Sequence, residues 1–256
     1  LEEGGLVIYY VNNKRTDIVI EDFKRYGWNV TSYLERRKLV FIDAYSAIMG
    51  LSSQEAYYVR DPLDIKQINE MIIKAVKDFK ESGKLLIVDS LSTLLDYFEA
   101  EAVNHVSSWN KLALVYNYTP LYIFTEWDYE VQLKQRLADL CDNVVDMKAL
   151  EKNVVATEIF TVRKLAGKPV EKPIVPFKYR KPGGLKIYIP KILITGPYHA
   201  GKTTIVHALS TRAVSVQREG TTVALDFGHL EYKGLSADLF GTIGQQRFDP
   251  ILEQLG

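Results

Sequence analysis

KLLIVDS, residues 84–90, decides how this sequence folds. Leu85, Leu86, Ile87 and Val88 follow one another without a polar break, and Asp89 closes the run. A strand with one solvated face alternates apolar and polar residues. A strand covered on both faces need not, and such strands belong to parallel sheets with crossover helices on either side. Working outward, LVIYYV (6–11), KLVFIDAYS (38–46) and PLYIFTE (120–126) are further β-branched and aromatic runs. Helical patterns separate them. DIVIEDFKRYG (17–27) ends at Gly27, and Ala100 to Tyr116 forms a later helix. In PLDIKQINEMIIKAVKDFKESGK (62–84), Ile65, Ile68, Ile72, Ile73 and Val76 share one helix face, and Gly83 is a stop signal. Strand and helix in alternation predict an α/β fold, a mostly parallel sheet with helices on both faces.

After about residue 140 the rhythm changes. NVVDMKAL (143–150), VVATEIFTVRKL (154–165) and VPFKYRKPGGLKIYIP (175–190) are strand-like with short connections, which predicts an antiparallel extension. AGKPVEKPIVPF reads as an ordered loop, and Gly183-Gly184 as a hairpin turn that supplies positive φ. KILITG (191–196) starts a new strand, so a boundary is expected near residue 185, with units 1–187 and 188–256.

The second unit opens on Gly196, Pro197, Tyr198, His199, Ala200, Gly201, Lys202, Thr203 and Thr204. This fits G-x-x-x-x-G-K-[ST] at every fixed position, between a predicted strand and a predicted helix. The glycines let backbone N–H groups converge on phosphate oxygens, and the helix N-terminus adds partial positive charge. Lys202 reaches the β- and γ-phosphates in such a loop, and the Thr203 hydroxyl ligates Mg²⁺. A nucleoside triphosphate with Mg²⁺ is therefore the expected ligand.

Bulk properties exclude several classes. Of 256 residues, 47% are hydrophobic and 25% charged, and 32 Lys and Arg balance 32 Asp and Glu. No net field recruits nucleic acid or an anionic membrane. A local basic stretch, from Arg163 and Lys164 to Lys186 and Lys191, reads as a solvated hairpin face, with a phosphate-backbone contact as the alternative. No apolar run approaches the ~20 residues that span a bilayer. The single cysteine, Cys141, forms no intrachain disulfide, so a reducing, cytoplasmic location is expected. The chain opens on Leu1 and closes on Gly256, so the natural protein is expected to continue at both ends.

Two family resemblances follow from these residues. TTVALDFG and GTIGQQRF, behind the phosphate loop, make residues 188–256 resemble prokaryotic Ras- and Arf-like small GTPases. The resemblance implies that Thr222 senses Mg²⁺ and the γ-phosphate, that the Gly244 N–H meets the γ-phosphate, and that Gln245 orients the attacking water. Thr222 also reads as an ordinary strand-edge residue, and Gln245 as a solvated loop residue. The aspartate expected at the opening of switch II is Gly241 here, and Asp238 lies three residues upstream. Tyr198 replaces a small residue. Both departures imply slow hydrolysis. The N/T-K-x-D motif that selects guanine is absent after Lys202, so the base, GTP or ATP, rests on the resemblance.

Residues 1–187 resemble the RecA-like fold and, within it, KaiC. The marks are GGLVIYYVNN, FKRYGWNV, KLVFIDAYS, KLLIVDSLSTLL and LADLCDNVVDMKAL. The resemblance places Asp89 at the Walker B position, where it orders Mg²⁺; the other reading is a cap on the next helix. No phosphate loop precedes Leu6, and Asn12-Asn13 stand where an acidic general base is usual. An amide takes no proton from water. By the same resemblance Glu126 and Trp127 stand at a typical sensor location; the other reading is a packed loop.

The expected function is a nucleotide-dependent switch, a GTP-binding unit coupled to a RecA-like regulatory or assembly domain, from a prokaryote, an archaeal one by the family pairing. Expected partners are an activating protein and further copies of the chain, with no membrane and no nucleic acid. The alternatives are an ATP-driven RecA/KaiC-type ATPase and a catalytically degenerate scaffold.

Overall fold

The computed structural model describes residues 5–81, 83–152, 155–170, 174–181, 183–187, 189–197, 199–214, 217–218, 221–222, 226–232 and 235–242. It forms two compact units, Leu1–Cys141 with Lys181–Gly183, and Asp142–Arg180 with Gly184–Gly256.

The first unit is built on five strands: β1 (Leu6–Val11), β2 (Leu39–Asp43), β3 (Tyr57–Tyr58), β4 (Lys84–Asp89) and β5 (Tyr118–Ile123). Their order is β3-β2-β1-β4-β5, and every pairing is parallel. The period of two sends alternate residues to opposite faces. Ile8 pairs with Val40 and Leu86, and Tyr10 with Ile42 and Val88, so this set shares one face. It packs in one core with α4 (Ile65–Lys77), α5 (Leu91–Phe98) and α6 (Glu101–Tyr116), to which Leu137 of α7 (Val131–Asp139) adds. Tyr9, Val11, Leu39 and Phe41 face the other way, onto α1 (Thr16–Arg25) and α2 (Thr31–Glu35). The short α3 (Tyr45–Ile48) follows β2. Continuous apolar runs in β2 and β4 thus have the cause inferred from KLLIVDS: both faces are covered.

Helix α4 starts where Asp64 accepts hydrogen bonds from the Lys66 and Gln67 N–H groups, later than the pattern predicted. It ends at Lys77, before Gly83. Ile68, Ile72, Ala75 and Val76 make its buried stripe, each isoleucine contributing about 1.5–3 kcal/mol on burial. Trp109 of α6 is fully buried, and its indole N–H donates to Asn69 Oδ1 at 2.6 Å, so its one polar atom is paired.

The second unit begins with β6 (Val144–Lys152), β7 (Val155–Leu165), β8 (Lys168–Pro169), β9 (Val175–Arg180) and β10 (Gly184–Ile187). These strands are antiparallel as expected, but they form a sheet of their own, ordered β10-β9-β7-β6 with β8 beside β7, rather than an extension of the parallel sheet. Gly183 and Gly184 turn the β9–β10 hairpin with φ of 115° and 70°. Next come β11 (Lys191–Ile194), α8 (Lys202–Leu209), β12 (Arg212–Val214), β13 (Gln217–Arg218), β14 (Thr221–Thr222), β15 (Asp226–Tyr232) and β16 (Leu235–Gly241). A second sheet runs β11-β16-β15-β12, with β11 parallel to β16 and the other pairs antiparallel. β13 and β14 pair as a separate ribbon. The new strand at KILITG gave an expected boundary near residue 185. Compactness places one after Cys141, because β9 also touches β16 and groups the antiparallel strands with the phosphate loop.

Candidate nucleotide site

The loop after β11 carries its expected backbone signature. Gly196 and Gly201 have φ of 155° and 80°, and His199 takes a left-handed φ of 59°. Gly201 is the N-cap of α8, and Lys202 is its first residue. The Lys202 ammonium donates to the Gly196 carbonyl at 2.9 Å and the Pro197 carbonyl at 2.8 Å. Its residue is only 9% exposed. An ammonium held that far from water needs acceptors, and the loop's own carbonyls supply them. The Ala200 N–H donates to the Pro197 carbonyl at 3.2 Å, closing the turn. The Thr203 hydroxyl donates to Asp226 Oδ2 at 2.6 Å. Asp226 is 1% exposed, and its Oδ1 has no hydrogen-bond partner among the described residues.

The loop thus brings Gly196, Pro197, His199, Ala200, Gly201, Lys202, Thr203 and Thr204 together. Tyr198, Gly244 and Gln245 lie outside the described residues. Thr222 belongs to β14, where its backbone pairs with Gln217. Asp238 is engaged elsewhere, 2.9 Å from His229 Nδ1. Asp226 is the residue that sequence reasoning missed. The signal was the lone acidic residue in TTVALDFG, which becomes meaningful only when β15 is paired to β16.

The second constellation lies at the C-terminal ends of the first unit's central strands. Val11 is level with Asp43 on one side and Asp89 on the other. Asp89 is buried, and each of its oxygens has a protein donor: the Tyr9 hydroxyl at 2.6 Å and the Asn13 amide at 2.7 Å. Burial, and then the bond to Asp89, push the Tyr9 phenol far above its ordinary range, so it donates as a neutral hydroxyl. The helix cap is Ser90, whose Oγ accepts from the Thr93 N–H, so Asp89 itself does not cap α5. Asn12 clamps Ser90 from both sides of its amide. Its Nδ2 donates to the Ser90 carbonyl at 3.1 Å, and its Oδ1 accepts from the Ser90 N–H at 2.6 Å. The amide at the expected place of a general base therefore has a structural task that needs both a donor and an acceptor.

Asp43 is saturated as well, by the Ser46 N–H at 3.0 Å, the Ser46 hydroxyl at 2.5 Å and the Ser53 hydroxyl at 2.6 Å. Nearby, the Glu55 carboxyl is pushed up, first by burial and further by the Asp43 charge, against a hydrogen bond with Thr16. Below the ordinary glutamate value of about 4.3 both folded and unfolded chains hold this proton, and the group has no effect on stability. Above it the unfolded chain releases the proton first, so stability falls until the folded group also titrates. Glu55→Gln is expected to flatten this descent. Thermal unfolding midpoints of both proteins across the acid range check it, and parallel profiles would refute it.

Two other expectations are resolved. Trp127 is 63% exposed, so the loop after β5 is not packed through it, and Glu126 pairs with Lys134 at 3.1 Å. In the basic stretch, Arg163 is matched by Asp146 at 3.2 Å. No helix among the described residues is long and apolar enough to cross a membrane.

The parallel sheet flanked by helices, with carboxylates at its C-terminal edge, is that of a RecA-like α/β domain. The KaiC-like protein PH0186 of Pyrococcus horikoshii has this fold, with a TM-score of 0.58 and 18% identity over 73% of this chain and 78% of its own. The uncharacterized protein PH0321 of the same organism gives a TM-score of 0.60 and 15% identity, covering 73% and 80%. Residues 2–192 match the KaiC ATPase family model, and the chain belongs to that family. The phosphate loop at 196–203 follows the matched residues. A UPF0273 protein of Sulfurisphaera tokodaii is 32% identical over 77 residues, 30% of this chain and 26% of the relative. The UPF0273 protein PH0284 of Pyrococcus horikoshii is 32% identical over 95 residues, 37% and 38%. The matching segment thus spans well under half the length of these relatives.

Proposed function

We propose that this KaiC-family chain binds a nucleoside triphosphate with Mg²⁺ at Gly196–Thr203 and acts as a nucleotide-dependent switch. One observation carries the reading: Lys202, buried at a helix N-terminus, is held by two loop carbonyls that phosphate oxygens can replace. Thr203 and a nearby carboxylate fit a hard cation that takes oxygen ligands. When bound, Mg²⁺ supplies neutralisation of phosphate charge. Lys202 and the loop N–H groups bind and orient the phosphates. By resemblance, Thr222 and the Gly244 N–H read the γ-phosphate, and Gln245 positions water. The RecA-like unit serves in regulation or assembly, with further copies of the chain and an activating protein as partners, in the cytoplasm.

The family that covers residues 2–192 supports the alternative, an ATP-driven reading of the first unit, and ends before the loop at 196–203. GTP rests on the sequence resemblance of residues 188–256 alone. An ATP-driven reading centred on Asp89 would need that carboxylate to order Mg²⁺ beside the Tyr9 and Asn13 donors. Titration of fluorescent ATP and GTP analogues with Mg²⁺ into the full-length protein separates these readings. Binding that requires Lys202 places the nucleotide at this loop and names its base. ATP binding independent of Lys202 moves the site to the first unit. Absence of both leaves a scaffold.

A further inference from the structure

Asp43 and Asp89 flank the end of β1, at the edge where open α/β sheets bind their ligands. A carboxylate that orders Mg²⁺ keeps an oxygen open to the ion or to the waters around it. Asp89 is closed from two sides. The buried Tyr9 hydroxyl reaches Oδ2 at 2.6 Å from the packed face of the sheet. The Asn13 amide reaches Oδ1 at 2.7 Å from the exposed chain that leaves β1. Both bonds end on a charged acceptor, which makes them strong, and Asp89 is left 5% exposed. Asp43 has donors of its own from Ser46 and Ser53. Mg²⁺ does not fit this edge while those donors stay in place.

A pair of amides is the cause. Consecutive residues bond consecutive residues across the β1–β4 pair: Asn12 holds the backbone of Ser90, and Asn13 holds the carboxylate of Asp89. An amide brings a donor, and an ionised carboxylate brings none. With Asp at 13, two like charges would face one another, and a cation would be needed between them. With Asn at 13, an N–H group takes that place.

We propose that the Asn13 amide stands in for a cation at Asp89, so that the first unit closes its strand edge by hydrogen bonds alone and orders no Mg²⁺. The inference does not depend on the phosphate-loop reading. It sets this chain apart within the ATPase family to which residues 2–192 belong.

The test uses the full-length protein with Lys202→Met, which removes the charge of the phosphate loop. Thermal unfolding is followed in EDTA, in Mg²⁺, and in Mg²⁺ with ATP. Lys202→Met is expected to show one midpoint in all three. Adding Asn13→Ala leaves Oδ1 without this donor. It is expected to lower the midpoint by roughly 3–10 °C in EDTA, with part of the loss returned by Mg²⁺. Adding Asn13→Asp instead is expected to lower it further in EDTA and to make the fold respond to Mg²⁺ more strongly. Electron paramagnetic resonance of Mn²⁺ is the second readout: Asn13→Asp is expected to gain a bound Mn²⁺ that its parent lacks. A Lys202→Met protein stabilised by Mg²⁺, or by Mg²⁺ with ATP, through an effect that Asp89→Asn abolishes overturns the inference, because Asp89 would then order the ion with Asn13 in place. Variants at 13 that ignore Mg²⁺, or an Asn13→Ala midpoint equal to its parent's, overturn it too. None of these results touches the phosphate loop, which the Lys202 titration decides separately.

Discussion

Lys202→Ala is expected to lose nucleoside triphosphate binding by roughly 100-fold, on the order of 3 kcal/mol for hydrogen bonds between an ammonium and phosphate oxygens. The wild-type lysine spends its free state bonded to the Gly196 and Pro197 carbonyls. Its charge is therefore already withdrawn from bulk water and poised on the loop, so little rotamer freedom remains to be lost on binding. Alanine also removes the aliphatic stem and leaves both carbonyls without this donor, which risks collapse of the loop. Lys202→Met keeps the stem and removes only the charge. Equilibrium titration with a fluorescent analogue, beside circular dichroism melts, separates the two effects. Full affinity in Lys202→Met would exclude the loop as the nucleotide site.

Asn12→Asp is expected to destabilise the first unit by about 3 kcal/mol rather than to install a general base. Asn12 is 2% exposed and bonds both the carbonyl and the N–H of Ser90. An ionised aspartate keeps the acceptor but turns a second oxygen toward the Ser90 carbonyl. A buried carboxylate keeps the Ser90 N–H but loses the bond to the Ser90 carbonyl, a loss of about 1–3 kcal/mol and more for a charged group, and protonation relieves part of it. The aspartate would also stand near Asp89, which adds repulsion. Stability should therefore recover on acidification, as the new carboxyl takes up its proton. Urea unfolding at neutral and acidic pH checks this. An unchanged midpoint at neutral pH would show that the clamp contributes nothing.

The sheet of the first unit was legible because its cause is local. Leu85 to Val88 lack a polar break, and two-faced burial is the physical reason. The antiparallel strands were legible from short connections and Gly183-Gly184. The phosphate loop was legible because glycine, lysine and threonine at fixed spacing serve one chemistry. Asp226 was not, since its meaning depends on a partner fifteen residues away across a strand pair. Asn12 was read as a missing acid, and only its two bonds to Ser90 reveal a clamp. The end of α4 at Lys77 was missed because Gly83 is the stronger stop signal in the sequence. The misses at Asp226 and Asn12 concern pairings between distant positions, which no window of residues contains.

The order of strands in the two units also bears on how quickly each assembles. In the second unit β6 and β7 are consecutive, so their long antiparallel ladder closes over a short connection. In the first unit the central strand β1 must find β4, and Asn12 must find Ser90, 78 positions away. Chain entropy delays such contacts, and topologies rich in them fold more slowly. The β6–β7 hairpin can therefore form while β1 is still searching. On chain entropy alone, the Asn12–Ser90 lock is expected to close after the β6–β7 hairpin.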